Sequence, residues 1–330
     1  MAEINTTYLE KAIEACRPFA AEGEVNKDIP GIDQSKQSHL GITIMTEDNE
    51  IYRAGEYKGT TSLQSCSKII SLMLALHDFG KERVFETVGM EPMGALFNSI
   101  SHLESFDTHK PMNPMINAGA IAVASLIKGQ NVEHRFERIL DLIRTITQNP
   151  DLCMNEAVYE SEKKRGSRNR SLAYFMKSTG TLVSDVEDAL DLYFRFNSID
   201  VHCEDLARIG LFFANGGYPA GSSERLISAR HLRTIQAIMM TSGMYNESGR
   251  FAVEVGFPCK SGVSGNIIGV VPEKMGIGVI GPAINVKGNS TAGGALLRKI
   301  SVDLDLNMFG FVSRSAGQDI SNERQLGVRK

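Results

Sequence analysis

The stretch Thr61-Ser62-Leu63-Gln64-Ser65-Cys66-Ser67-Lys68-Ile69-Ile70-Ser71-Leu72-Met73-Leu74-Ala75-Leu76-His77-Asp78-Phe79-Gly80 decides how this chain is read. From Leu63 to Phe79 its apolar residues recur at spacings of three and four, the period of a helix with a buried face. Thr60, Thr61 and Ser62 are candidate amino-terminal caps and Gly80 a natural stop. Ser65 and Lys68 stand three residues apart, so both side chains share one helix face and the amine can reach the hydroxyl. Desolvation in so apolar a helix holds a lysine towards its neutral form, and the helix amino terminus favours negative charge developing at the serine. Together these are the requirements of an activated serine nucleophile. The same Ser-x-x-Lys spacing recurs at Ser125/Lys128 and Ser161/Lys164. The second copy precedes Gly129 at a helix end and the third lies in a basic turn, so context selects Ser65.

Working outward, Leu40–Met45 alternates as a strand, turns at Glu47-Asp48-Asn49 and returns through Ile51–Gly55, a β-hairpin. A second β-rich region runs from Phe251 to Pro282. It contains the runs Phe251–Phe257, Gly262–Val271 and Met275–Ile280, with Pro272-Glu273-Lys274 as a turn. Between them lie the helical patterns Val132–Thr147, Asn169–Lys177, Ser184–Phe196, Glu204–Ala214 and Ser228–Met240, and a last helix spans Ala292–Leu304. Strands from both ends of a chain usually meet in one sheet. The expectation is an α+β protein in which residues 1–80 and 225–312 together form the sheet domain. Residues 81–224 form an inserted all-α lobe, and 313–330 a polar tail. The cleft between lobes is the expected ligand site.

Composition removes several functions. Over 330 residues, 35 basic side chains face 39 acidic ones, a net charge of −4 that disfavours nucleic acid. No apolar run approaches the roughly 20 residues of a membrane span, and the first residues do not read as a secretory signal. The five scattered cysteines show no C-x-x-C, which fits a reducing compartment, so a cytoplasmic location is expected. Gly276-Ile277-Gly278-Val279-Ile280-Gly281 matches the dinucleotide fingerprint in letters only, because it lies within a strand-like run ending at Pro282 and opens no helix. Lys163-Lys164-Arg165, with Arg168 and Arg170, reads as a solvated turn between helices. The seven histidines have no metal-ligand spacing.

A second element supports Ser65. Lys260-Ser261-Gly262 lies in the distal β region, and a Lys-Ser-Gly strand beside a Ser-x-x-Lys helix is the pairing used by serine β-lactamases and penicillin-binding proteins. The strand supplies a cation and a backbone N–H for an oxyanion. A β-lactam target fits poorly, since their Ser-Asp-Asn element has no counterpart: Ser184-Asp185 is followed by Val186.

Ordered blocks spread from about Arg17 to Gly294 make the resemblance specific. They are QSCSK (64–68), EPMGALFNS (91–99), MNPMINAGAI (112–121), YESEKKRGSRNRSLAYF (159–175), ANGG (214–217), GMYNESG (243–249), KSGVSG (260–265) and GNS (288–290). In these the chain resembles the serine-dependent glutaminases. The resemblance implies a β-lactamase-like fold with an antiparallel sheet flanked by helices. It implies Ser65 as nucleophile on the carboxamide of L-glutamine, Lys68 as general base and Tyr245 as proton relay. It places the oxyanion at the N–H groups of Ser65 and Val263, electrostatic support at Lys260, and the amino-acid end of the substrate at Asn117, Glu162, Asn169 and Tyr193. It also implies no cofactor or metal and a homo-oligomer, dimer or tetramer. Physically, a free amino acid needs one anion, here Glu162, and several donors. Three departures stand out. Asp28 occupies the place where relatives carry a pocket tyrosine, Arg195-Phe196-Asn197-Ser198 replaces a common Gln-Cys, and Asn266 stands where glycine is usual, expected to stiffen the cleft rim. The alternatives are an amidase or esterase for another acyl group, and a non-catalytic amino-acid-binding protein.

Overall fold

A computed structural model describes residues 3–94, 97–105 and 109–310, so the polar tail expected at 313–330 lies outside the described residues. Its centre is a five-stranded antiparallel sheet of β1 (Gly41–Thr46), β2 (Ile51–Gly55), β3 (Cys259–Ser261), β4 (Asn266–Val271) and β5 (Met275–Ile280). The spatial order is β2-β1-β5-β4-β3, so the amino-terminal hairpin joins the distal strands where β1 meets β5, with Thr43 opposite Gly278. The longer helices are α1 (Thr6–Cys16), α2 (Lys68–Thr87), α3 (Asn117–Leu126), α4 (Val132–Thr147), α5 (Glu156–Arg165), α6 (Ser167–Ser178), α7 (Val186–Asn197), α8 (Cys203–Ala214), α9 (Ala229–Ser242) and α10 (Thr291–Asp303).

β4 and β5 are buried along their whole length because helices cover both faces of the sheet. On one face Leu9 and Ile13 of α1 and Leu296 and Ile300 of α10 pack with Ile42, Ile44, Ile277 and Val279. On the other lies α8, which the sequence reading assigned to the inserted lobe but which packs directly against β1, β4 and β5. The G-x-G-x-x-G letters have their explanation here. A Cβ at Gly276 would stand 2.0 Å from the Leu211 nitrogen, and one at Gly278 2.0 Å from the Cys203 carbonyl oxygen. The glycines let the α8 backbone lie on the strand.

Several local expectations change. Phe251–Phe257 is not a strand: Ser248–Glu254 is helical. Phe251 and Val255 are buried four residues apart while Val253 is 78% exposed, so the helical period won over the apparent alternation. The run Gly262–Val271 divides, because residues 262–265 turn between β3 and β4. Thr61 and Ser62 cap nothing; they pair with Val201 and Asp200 as a short ladder. A 3₁₀ turn, Gln64–Ser67, then leads into α2, which breaks at Gly80 with φ 75°. The helices α1, α3 and α5 were not anticipated. α3 is apolar and small-residue-rich all round, its residues 117–124 buried, so no amphipathic stripe marks it.

Candidate active site

Ser65 sits in the 3₁₀ turn and is 6% exposed. Gln64 before it has a left-handed backbone, φ 46°, a conformation that non-glycine residues hold only when their surroundings enforce it. The Ser67 hydroxyl lies 2.6 Å from the Gln64 carbonyl oxygen and 2.8 Å from Asn197 Oδ1, tying the turn to α7. Lys68, three residues on, is fully buried. Its Nζ donates to the Met115 carbonyl at 3.0 Å and to Asn117 Oδ1 at 2.8 Å. Both acceptors are neutral. A neutral amine has two hydrogens for those two acceptors and a lone pair left to take a proton, whereas an ammonium here would be a buried charge. Burial, with the like charge of Lys260, accordingly holds Lys68 well below the usual lysine range, although Glu162 acts the other way.

β3 brings Lys260 alongside. Its buried Nζ donates to the Gly243 carbonyl at 3.1 Å and the Ser261 carbonyl at 2.5 Å, and lies 4.8 Å from the centre of the Tyr245 ring. Burial pulls it down to about 8. Tyr245 is also buried and left-handed, φ 51°. Its phenol is raised by burial but faces Ser65 and Ser261, which both favour its ionised form. Among the described residues no partner completes a well-formed hydrogen bond to that hydroxyl, which leaves it able to meet a reacting group. Ser261 is fixed in turn by Asn289 Oδ1 at 2.6 Å, and Asn289 Nδ2 by Glu247 at 2.7 Å. A pH test follows. If neutral Lys68 is the base, activity falls on acidification through its lowered pKa. Lys260→Met removes the neighbouring charge, so the acid limb should move to higher pH. An unmoved limb in pH–rate profiles would count against that coupling.

In front of this cluster lies a cavity of about 280 Å³ whose walls include Ser65, Asn117, Glu162, Asn169, Tyr193 and Val263. All the substrate-side residues expected from the sequence are therefore gathered on it except Tyr245, which packs beside it with its ring 4.8 Å from that of Phe97. Asn117 passes the polarity of Lys68 outward: its Oδ1 accepts from Lys68 and its Nδ2 donates to Asn169 Oδ1 at 3.0 Å. That leaves the Asn169 amide hydrogens for a bound anion. The Glu162 carboxyl is raised by burial, against the opposing effects of Gln64 and Lys68, so a cation beside it would relieve the cost of its burial. Tyr193 is 3% exposed, and burial pushes its phenol up. The other Ser-x-x-Lys copies form no such cluster: Ser125 bonds the Ala122 carbonyl and Lys164 is exposed.

Gln64, Asn197, Arg165 and Arg168 also line the cavity, although the sequence assigns none of them to the site. Asn197 was legible, four residues after Tyr193 and so on its helix face; its amide faces the Tyr193 hydroxyl. Asp28 is on the wall as well, but it is paired with Arg165, and its carbonyl accepts from Ser161 at 3.0 Å. The carboxylate that stands where relatives carry a tyrosine is thus paired at the rim. Arg165→Ala should raise KM about 2- to 5-fold, with kcat within twofold, since exposed pairs carry little energy. An unchanged KM, or a loss in kcat, would contradict this. Cys66 is buried and donates to the Lys260 carbonyl at 3.2 Å, with its thiol pushed up to about 12 by burial, so it is a packed bystander. Among the described residues no three His, Cys, Asp or Glu side chains group as a metal site.

Comparison with known proteins bears on this geometry. A sequence model of the family described as Glutaminase matches residues 23–309. A glutaminase of Clostridium tetani (strain Massachusetts / E88) is 50% identical over 301 residues, which are 91% of this chain and 98% of that protein. One from Alkaliphilus oremlandii (strain OhILAs) is 49% identical, with 91% and 99% covered. Among solved structures, a probable glutaminase from Bacillus subtilis complexed with 6-diazo-5-oxo-L-norleucine superposes with a TM-score of 0.84 at 35% identity, covering 94% of this chain and 98% of that one. A Bacillus glutaminase crystallised in 4.3M NaCl gives 0.86 at 37%, covering 92% and 99%. The fold is the β-lactamase-like one of these neighbours, and this chain belongs to the glutaminase family.

Proposed function

We propose that this chain hydrolyses L-glutamine to L-glutamate and ammonia through a γ-glutamyl ester on Ser65. The observation that carries the reading is the buried Lys68, whose two neutral acceptors leave its lone pair free one helical turn from Ser65. In this mechanism Lys68 takes the Ser65 proton as the hydroxyl attacks the carboxamide carbon. The Ser65 and Val263 N–H groups receive the oxyanion. The C–N bond breaks with a proton delivered through Tyr245, ammonia leaves, and water attacks the ester by the reverse route. Lys260 supports the developing negative charge. Glu162 receives the substrate ammonium, and Asn117, Asn169 and Tyr193 supply neutral groups to the amino-acid end. The fixed span between this clamp and Ser65 selects glutamine over the shorter asparagine.

The same reading takes the protein as a cytoplasmic homo-oligomer, dimer or tetramer, without a nucleic-acid partner. It takes residues 1–80 and 225–312 as a sheet domain and 81–224 as a helical insertion, of which α8 packs back onto the sheet. Among the described residues no helix is long and apolar enough to cross a membrane. Sedimentation of the purified protein measures the assembly.

The deciding experiment is release of ammonia and glutamate from L-glutamine, with L-asparagine in parallel. Release from glutamine at least about tenfold faster than from asparagine is the expected result. No release from folded protein would overturn the reading, and fast turnover of esters with negligible glutamine turnover would assign the site to another acyl group.

A further inference from the structure

Asn266, expected at the cleft rim, is instead fully buried at the start of β4, behind the nucleophile turn. Its Nδ2 donates to the Ser62 carbonyl at 3.0 Å and to the Leu63 carbonyl at 3.1 Å. Its Oδ1 lies 3.5 Å from Cys66 Sγ, and its own carbonyl accepts from the Gly262 N–H at 2.9 Å. Ser264 adds a donation to the Ser62 carbonyl at 2.7 Å. One side chain therefore touches residues on both sides of Ser65, while its backbone holds the residue before Val263. The fit is tight, since a Cβ at Gly262 would stand 2.2 Å from Asn266 Oδ1. The turn it braces contains the left-handed Gln64, which needs enforcing contacts to persist.

We propose that Asn266 is a positioning residue that sets the separation of the Ser65 and Val263 N–H groups, and so the oxyanion geometry. This rests on the reading that those two N–H groups receive the oxyanion. The physical ground is that neither segment is bonded to the other by a continuous β ladder at this point. The nucleophile turn leads into a helix and Val263 lies in a loop, so the amide, with Ser264 beside it, is a buried side-chain link between them. An oxyanion site acts on the transition state more than on bound substrate, so a loosened link lowers kcat and spares KM.

The test is steady-state kinetics on glutamine for wild type, Asn266→Ala, Asn266→Ser and Ser264→Ala, with thermal midpoints and circular dichroism on each. Asn266→Ala should lower kcat about 10- to 100-fold with KM within about twofold, the scale of a small misplacement of reacting groups. Asn266→Ser, which keeps one donor, should recover part of that loss. Folded variants with wild-type kcat, or with the loss wholly in KM, would overturn the proposal. If the Asn266 variants do not fold, Ser264→Ala decides: a several-fold fall in kcat at constant KM supports the brace, and an unchanged kcat overturns it. Wild type without glutamine turnover would instead defeat the underlying reading of the site, and the positioning role with it.

Discussion

Ser65→Ala should release ammonia from glutamine roughly four to six orders of magnitude more slowly than wild type, the scale seen when a serine nucleophile is removed from a unit that works as a whole. Neither neighbour in the turn can replace the hydroxyl. Cys66 points its sulfur at the Lys260 carbonyl, and Ser67 is occupied by the Gln64 carbonyl and Asn197. The change deletes one small polar atom from a 6% exposed position, so stability should stay within about 1 kcal/mol of wild type. The measurement is coupled glutamate detection together with thermal unfolding of the same sample. Retention of more than about a hundredth of the activity would move the nucleophile elsewhere. Loss of activity together with loss of the fold would deprive the result of its catalytic meaning. Substrate should still protect Ser65→Ala against unfolding, because Glu162, Asn117, Asn169 and Tyr193 are untouched.

The largest effect on stability is expected at Gly278. A Cβ there would stand 2.0 Å from the Cys203 carbonyl oxygen and 2.6 Å from the Ala207 nitrogen, both backbone atoms of α8. No side-chain rotation can clear them, so the whole helix must lift from β5. Overpacking of well-packed cores costs about 1–3 kcal/mol and occasionally more. A clash with backbone belongs at the upper end, and about 3 kcal/mol is a large fraction of a typical folding free energy. Gly278→Ala should therefore lower Tm by roughly 4–5 °C, and Gly278→Val should not accumulate as soluble protein. The control is Gly249→Ala on the exposed side of the Ser248–Glu254 helix, where an added Cβ meets nothing within 4 Å. Equal Tm values for the two alanine variants would show that the glycines of β5 are not there for helix clearance.

The two variants separate what sequence and fold each decide. The placing of Ser65 one turn before a buried Lys68 was legible because it is local: a spacing of three fixes which side chains lie together, and an apolar run predicts desolvation of the amine. The hairpin and the run Met275–Ile280 were legible from alternation and turn residues, and their union in one sheet from chain order. The block resemblance singled out Glu162, Asn117, Asn169 and Tyr193, which no local spacing marks. Tertiary structure decided what distance along the chain hides. The letters of Gly276–Gly281 became clearance for α8, because only the fold lays that helix on the strand. The polar-faceless α3 shows the same limit, since burial on all sides by distant partners erases its local period, and at Phe251–Phe257 burial chose the helical period over the strand-like one. Asp28 met Arg165, whose pairing neutralises it across 137 positions of sequence. Asn266 reached Ser62 and Leu63 across about 200, within hydrogen-bond distance only once β4 packs behind the nucleophile turn. Residue types and short spacings determine which reaction is available. Which polar groups are dry, paired and aimed at one cavity depends on contacts between elements far apart in the chain, and the folded protein alone sets those.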